Sequence, residues 1–243
     1  MHRLPVSREM LNDDVPPLSQ DMRTHIKAVR LKDGEEVELF DGLGHARLYK
    51  YSAKDKALLS VGNLREEKRN GVDIVLFACI TKGARWDWTI EKATELGVAK
   101  IVPVISQRTI VRLSGEERIA KRSRWRKLAE EAARQCGSMW IPDILPAVDF
   151  NNALELMHGL NCFAGIISNR VVRSLAEAAK ECKASCQDRG FGVVIGPEGD
   201  FTDEEKVLLS EKANSVSFGS SILRAETAAI YAISVLKAIL EAK

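Results

Sequence analysis

No apolar stretch of this 243-residue chain approaches the roughly 18 to 20 residues that a membrane-spanning helix requires. Its opening, "MHRLPVSREM", has none of the apolar core of a signal peptide, so a cytoplasmic location is expected. Metal-ligand patterns are equally scarce. The five cysteines, Cys79, Cys136, Cys162, Cys182 and Cys186, are odd in number and scattered, and they read as buried thiols. Cys182-x-x-x-Cys186 has no second Cys/His pair after it, so no structural metal is expected. The histidines, His2, His25, His45 and His158, form no HExxH-type pair and read as solvated or packed.

Several catalytic signatures are missing too. Gly42-x-Gly44 lacks the third glycine of a dinucleotide fingerprint and falls in an expected hairpin, with no helix to receive a pyrophosphate. A GxSxG nucleophile elbow is absent, and no histidine is well placed downstream of a candidate nucleophile. The glycines of "IGPEGDFTDEE" are not followed by the Lys-Ser/Thr of a phosphate-binding loop, and Glu198 and Asp200 add negative charge there. That turn is built for something other than a phosphate.

The chain does have the composition of a globular protein, 45% hydrophobic and 29% charged, with a nearly balanced net charge of +2. Residues 35 to 68 contain short Val-, Leu- and Tyr-rich runs punctuated by Asp41-Gly42-Leu43-Gly44 and by Ser52 to Asp55, which predicts hairpins of a small β-barrel or sheet. After "RNGVD" at 69 to 73 the pattern changes. The runs "VDIVLFACI", "AKIVPVI", "CFAGII", "FGVVIG" and "SVSF" alternate with segments of helical period, which predicts an α/β fold with a parallel sheet covered on both faces. The expected domains are therefore 1–70 and 71–243.

Two strand-to-helix junctions carry the strongest chemical signal. Thr202-Asp203-Glu204-Glu205 is a capping box, so a helix begins directly after Gly196-Pro197-Glu198-Gly199. The second junction, "FGSSILRAETAA" at 218 to 229, also turns on a glycine and leads into the last helix. Arg224 and Glu226 read either as a surface pair or as part of a site shared with the first junction at the C-terminal edge of the sheet. The last helix carries Ile230, Ile233, Leu236 and Leu240 on one stripe, for packing or for a subunit interface. Between Arg108 and Lys127 there are eight basic residues and two acidic ones, either a solvated helix face or a phosphate-contacting strip.

"IGPEGDFTDEE" followed by "FGSSILRAETAA" closely resembles the C-terminal signature of the RsmE-type 16S ribosomal RNA uridine N3-methyltransferases of the SPOUT superfamily. The resemblance extends through "KGARWDWTIEKATELGVAKIVPVISQRTIV", "RWRKLAEEAARQCG", "IPDI" and "RLKDGEEVELFDGLG", and so covers nearly the whole chain. Asp200 departs from it where a further glycine is common, and Ser221 where a basic residue often stands.

The resemblance implies a PUA-like RNA-binding β-barrel at 1–70 and a SPOUT domain with a C-terminal deep trefoil knot at 71–243. It implies S-adenosylmethionine held by three loops: Ile166, Ile167 and Ser168; Ile195, Gly196, Pro197, Glu198 and Gly199; and Phe218, Gly219, Ser220, Ile222, Leu223 and Arg224. It also implies a homodimer, with Ile233 and Leu236 near the contact, acting on 16S ribosomal RNA within the small subunit. For transfer to a weakly acidic N3, Arg224 is the expected stabiliser of developing charge, with Glu198 and Glu226 as candidates for orientation or proton transfer. The RNA-contacting candidates are Arg3, Arg23, Arg30, Lys82, Arg85, Arg108, Arg122 and Arg126. Methylation of a ribose 2'-hydroxyl or of guanine, and a non-catalytic RNA-binding relative, are the alternatives.

Overall fold

The computed structural model describes residues 1–69, 71–166, 173–185 and 189–242. It divides into two units, 1–70 with 130–141, and 71–129 with 142–243.

In the first unit, β1 (His2–Pro5) pairs in parallel with β2 (Glu36–Phe40), and β2 pairs antiparallel with β3 (His45–Ser52). β4 (Ala57–Ser60) and β5 (Arg65–Glu66) both pair antiparallel with β3. Both expected hairpin turns are present. Asp41 Oδ1 accepts from the amides of Leu43 and His45 at 2.7 and 3.0 Å, and Ser52 Oγ bonds Asp55 Oδ2 at 2.6 Å. Among the described residues no ladder joins β1 to β4, so the strands form an open sheet and not a closed barrel. Its apolar side is covered instead by Leu11 and by Met22 and Ile26 of α1 (Gln20–Ala28), which pack with Leu4, Val37, Leu39, Tyr49 and Leu58.

The segment 130–141 completes this unit. Ala133 packs with Phe40 and Ala46, and the 42–44 turn exchanges backbone bonds with Met139 and Ile141 at 3.1 and 3.0 Å. Gly44 has φ +93, and a β-carbon there would lie 2.5 Å from Glu67 O, which accounts for a glycine that no dinucleotide needs. Arg3 belongs to the same packing and is corrected as an RNA contact. Only 7% exposed, it bonds Glu38 at 2.5 Å and the carbonyls of Ala133 and Ser138 at 3.0 Å each, so its charge is spent on a buried pair.

The second unit is a parallel sheet. β6 (Ile74–Cys79), α2 (Ala84–Glu95), β7 (Lys100–Ile105) and α3 (Gly115–Cys136) come first. Then follow β8 (Asp143–Ile144), β9 (Val148–Asp149), α4 (Phe150–Leu156), β10 (Asn161–Gly165) and α5 (Leu175–Ser185). The chain ends with β11 (Phe191–Ile195), α6 (Asp203–Ser210), β12 (Asn214–Val216) and α7 (Ala225–Glu241). The strand order is β12-β10-β11-β6-β7-β8, with β9 also on β7. Every residue of β6 and β11 is buried, the mark of strands covered on both faces. Val75, Phe77 and Cys79 pack with α4, while α7 lies on β6 and β11 and against α2 and α5.

Ile233 and Leu236 of α7 are fully buried inside this unit. They hold the helix to its own sheet, which corrects their placement at a subunit contact. Among the thiols, burial pushes Cys79 up to about 11 and Cys162 up to about 12. Cys136 is exposed, against the expectation of buried thiols, and Cys186 lies outside the described residues. No helix among the described residues is long and apolar enough to cross a membrane.

Candidate active site

Because the strands of the second sheet are parallel, the loops that follow β6, β7, β10, β11 and β12 gather at one edge, where ligands of such sheets usually bind. A cavity of about 550 Å³ opens there. Its wall combines Gly165 and Ile166 after β10, Ile195 to Glu198 and Asp200 after β11, and the continuous segment 216–225 with Ala228. Eleven expected cofactor residues therefore meet: Ile166, Ile195, Gly196, Pro197, Glu198, Phe218, Gly219, Ser220, Ile222, Leu223 and Arg224. Ile167 and Ser168 lie outside the described residues.

Gly199, also expected there, does not line the cavity. A β-carbon on it would meet only the Arg108 side chain, at 3.6 and 3.7 Å. Gly165 is one of the wall residues that sequence reasoning missed, with Asp200, Val216, Ser217, Ser221, Ala225 and Ala228. A β-carbon on Gly165 would collide with the Phe218 ring, and the signal available was a glycine closing the apolar run "CFAGII".

The 196–201 turn is held from several directions. Asp200 sits at φ +59, a conformation that a short polar side chain tolerates by bonding locally. Its Oδ1 accepts from the Phe201 amide at 2.8 Å, its Oδ2 pairs with Lys206 at 2.8 Å, and its amide donates to Pro197 O at 2.9 Å. This is how an aspartate replaces a glycine here. Phe201 is buried against Phe150, with ring centroids 5.5 Å apart, and it also lies beneath Gly196. The capping box forms as expected, with Thr202 Oγ1 accepting from Glu205 N at 3.2 Å and Glu205 Oε2 from Thr202 N at 3.0 Å.

Arg85 does not stand free for RNA. Its guanidinium lies 3.7 Å from Glu198 and 3.9 Å from Glu226, a cation shared by two carboxylates at the rim. Glu226 thus faces Arg85, and the Arg224–Glu226 surface pair is not made. Glu226 Oε2 is buried with no hydrogen-bond partner and lies outside the cavity wall. Arg224 lines the cavity at the N-cap of α7 and makes no ion pair among the described residues.

The basic segment divides in two. Arg108 bonds Gly199 O at 2.9 Å, Arg112 bonds Ser106 O at 2.9 Å, and Arg118 pairs with Asp149 at 2.7 Å. Arg122 bonds Ile144 O at 2.7 Å, and Arg124 pairs with Asp87. Those five are tied down by their own fold. Lys121, Arg126 and Lys127 are exposed and make no ion pair among the described residues. Lys82, Arg23 and Arg30 are also exposed, Arg23 bonding Leu18 O at 3.1 Å.

The RNA methyltransferase domain matches residues 68–237. The chain belongs to this family of RNA methyltransferases. Residues 23–61 match the PUA domain of RNA methyltransferases, so the family's two parts are both present. Ribosomal RNA small subunit methyltransferase E of Rickettsia conorii is 30% identical over 243 residues, covering 96% of this chain and 93% of that protein. The protein of the same name from Bacillus subtilis is 26% identical over 216 residues, 87% of this chain and 84% of its own. The Neisseria gonorrhoeae enzyme of that name, solved bound to S-adenosyl methionine, has a TM-score of 0.78 at 26% identity, covering 98% of this chain and 97% of that one. A Legionella pneumophila protein solved with bound cofactor SAM has a TM-score of 0.83 at 28% identity, covering 98% and 96%.

Proposed function

We propose that this RNA methyltransferase binds S-adenosylmethionine in the cavity at the sheet edge and methylates N3 of a uridine in 16S ribosomal RNA, near the decoding region of the small subunit. The observation that carries the reading is the composition of the cavity wall. Its volume of about 550 Å³ suits a nucleoside-sized ligand, and Ile166, Ile195, Val216 and Leu223 supply apolar surface for a purine. Among the described residues Arg224 is the sole basic side chain on the wall, whereas Glu198 and Asp200 suit a cationic ligand. A sulfonium nucleoside has both properties.

When bound, the cofactor supplies an electrophilic methyl group. The chain's residues have the remaining tasks. Arg224 donates to the uracil as N3 loses its proton, so that charge grows opposite a fixed cation. Glu198, on the wall, accepts a hydrogen bond or that proton. Glu226, screened from the cavity, acts through Arg85, whose position it helps to set.

The proposal includes a first domain, 1–70, that grips RNA, and a second, 71–243, whose C-terminal segment is threaded as the deep trefoil knot of SPOUT enzymes. It includes a homodimer in the cytoplasm. The resemblance over both parts of the chain supports these readings. Nucleoside analysis of ribosomal RNA from cells with and without the protein tests the reaction. Loss of 3-methyluridine from 16S RNA in the deletion strain is expected; loss of a 2'-O-methyl nucleoside or a methylguanosine instead overturns the N3 assignment.

A further inference from the structure

The turn after β7 is unusually well fastened for an exposed connection. Ser106 and Thr109 are both buried, and Thr109 Oγ1 accepts from Ser106 N at 3.0 Å. Arg112 folds back to bond Ser106 O at 2.9 Å and Gln107 O at 2.6 Å. The backbone that carries Arg108 is therefore held on both sides.

From that base Arg108 reaches across to the turn after β11. Its Nη1 donates to Gly199 O at 2.9 Å and lies 3.5 Å from Phe201 O. Its aliphatic stem runs along Gly199, 3.6 to 3.7 Å from where a β-carbon would stand. A second tie runs beside it. Gln107 N donates to Glu205 Oε1 at 2.8 Å, and the same carboxylate, 8% exposed, accepts from Thr202 N. The outward side of the 196–201 turn is thus bound to the 106–109 turn, while Gly196, Pro197, Glu198 and Asp200 on its inward side line the cavity.

We propose that Arg108 is a positioning residue for the cofactor, holding the Gly199–Phe201 backbone so that the inward side of the turn keeps its shape, and that it is not a phosphate contact. Arg108 does not line the cavity, so it acts through Gly199 and Phe201. A hydrogen bond from a charged donor is worth enough to decide the conformation of so short a turn. The inference rests on S-adenosylmethionine occupying this cavity.

The test uses full-length Arg108→Met, which keeps the stem but removes the donors, and Arg108→Lys, which keeps a charged donor. Cofactor affinity by calorimetry, single-turnover methylation at saturating cofactor, and the salt dependence of RNA binding are measured for each. Arg108→Met is expected to weaken cofactor binding about tenfold or more, to change the saturated rate less than the affinity, and to leave the salt slope at the wild-type value. Arg108→Lys should regain part of that affinity. A salt slope lowered by about 0.7 to 0.9 with cofactor affinity unchanged overturns the inference and makes Arg108 a phosphate contact. Unchanged affinity and unchanged slope overturn it as well. Wild-type protein that binds no cofactor would instead sink the functional reading itself.

Discussion

Phe218 lies close enough to Gly165 that no β-carbon fits between the end of β10 and the ring. The ring is also tilted against Tyr231 of α7, with centroids 5.8 Å apart, so two elements fix its position at the cavity wall. Gly165→Val must push Phe218 off this seat. Overpacking of this kind costs about 1 to 3 kcal/mol. Expressed through binding, that is about 5- to 150-fold in S-adenosylmethionine affinity, measured by calorimetry on protein whose circular dichroism is unchanged. Wild-type affinity in the variant would mean that Phe218 does not shape the site.

Arg224 stands on the wall with no ion pair among the described residues, which leaves its charge available to a substrate. Arg224→Ala should slow single-turnover methylation by about 100- to 1000-fold, the range for loss of one preorganised donor, about 2.7 to 4 kcal/mol. Cofactor affinity should change little, and raising the pH should partly restore the rate by favouring the N3 anion. Collapse of cofactor affinity with a preserved saturated rate would reassign Arg224 to binding.

Of the basic segment, Lys121, Arg126 and Lys127 are the exposed cations that make no ion pair among the described residues, and the last two are adjacent in sequence. The double variant Arg126→Ala with Lys127→Ala is expected to lower the salt slope of RNA binding by about 0.7 to 0.9 for each phosphate that the protein no longer neutralises. An unaltered slope assigns these residues to a solvated face. Arg122, bonded to Ile144 O at 2.7 Å, is a poorer probe, because replacing it also removes a hydrogen bond inside the protein.

A pH-dependent feature lies in the first unit. Arg134 Nη1 donates to His25 Nδ1 at 2.8 Å, and His2 stands edge-on to the same ring at 6.3 Å. Burial first, then the Arg134 and His2 charges, lower the His25 pKa below its ordinary 6.5, with Glu131 opposing. A histidine depressed in the fold takes up its proton more readily when unfolded. Stability is therefore full above about pH 6.5 and declines as the pH falls below it. Urea midpoints at pH 7.5 and 5.5 should show a smaller acid-side loss for His25→Gln than for wild type. Parallel profiles would remove His25 from the account.

The sequence by itself determined the elements and their order. The apolar runs around Ile74–Cys79 and Phe191–Ile195 became fully buried strands, and Thr202 and Glu205 formed the expected capping box, because period, burial and capping depend on neighbours within a few residues. Eleven residues that the sequence singled out line one cavity, since parallel strands bring their C-terminal ends together whatever their order. Tertiary structure alone decided which cations are free, why Gly165 is a glycine, and that Ile233 and Leu236 face their own sheet. Arg3 and Arg126 look alike in one dimension, yet one is buried against Glu38 and the other is in solvent. An arginine's role depends on which carbonyls and carboxylates the fold brings within about 3 Å of it, and for Arg3 those partners lie 35 to 135 residues away in sequence.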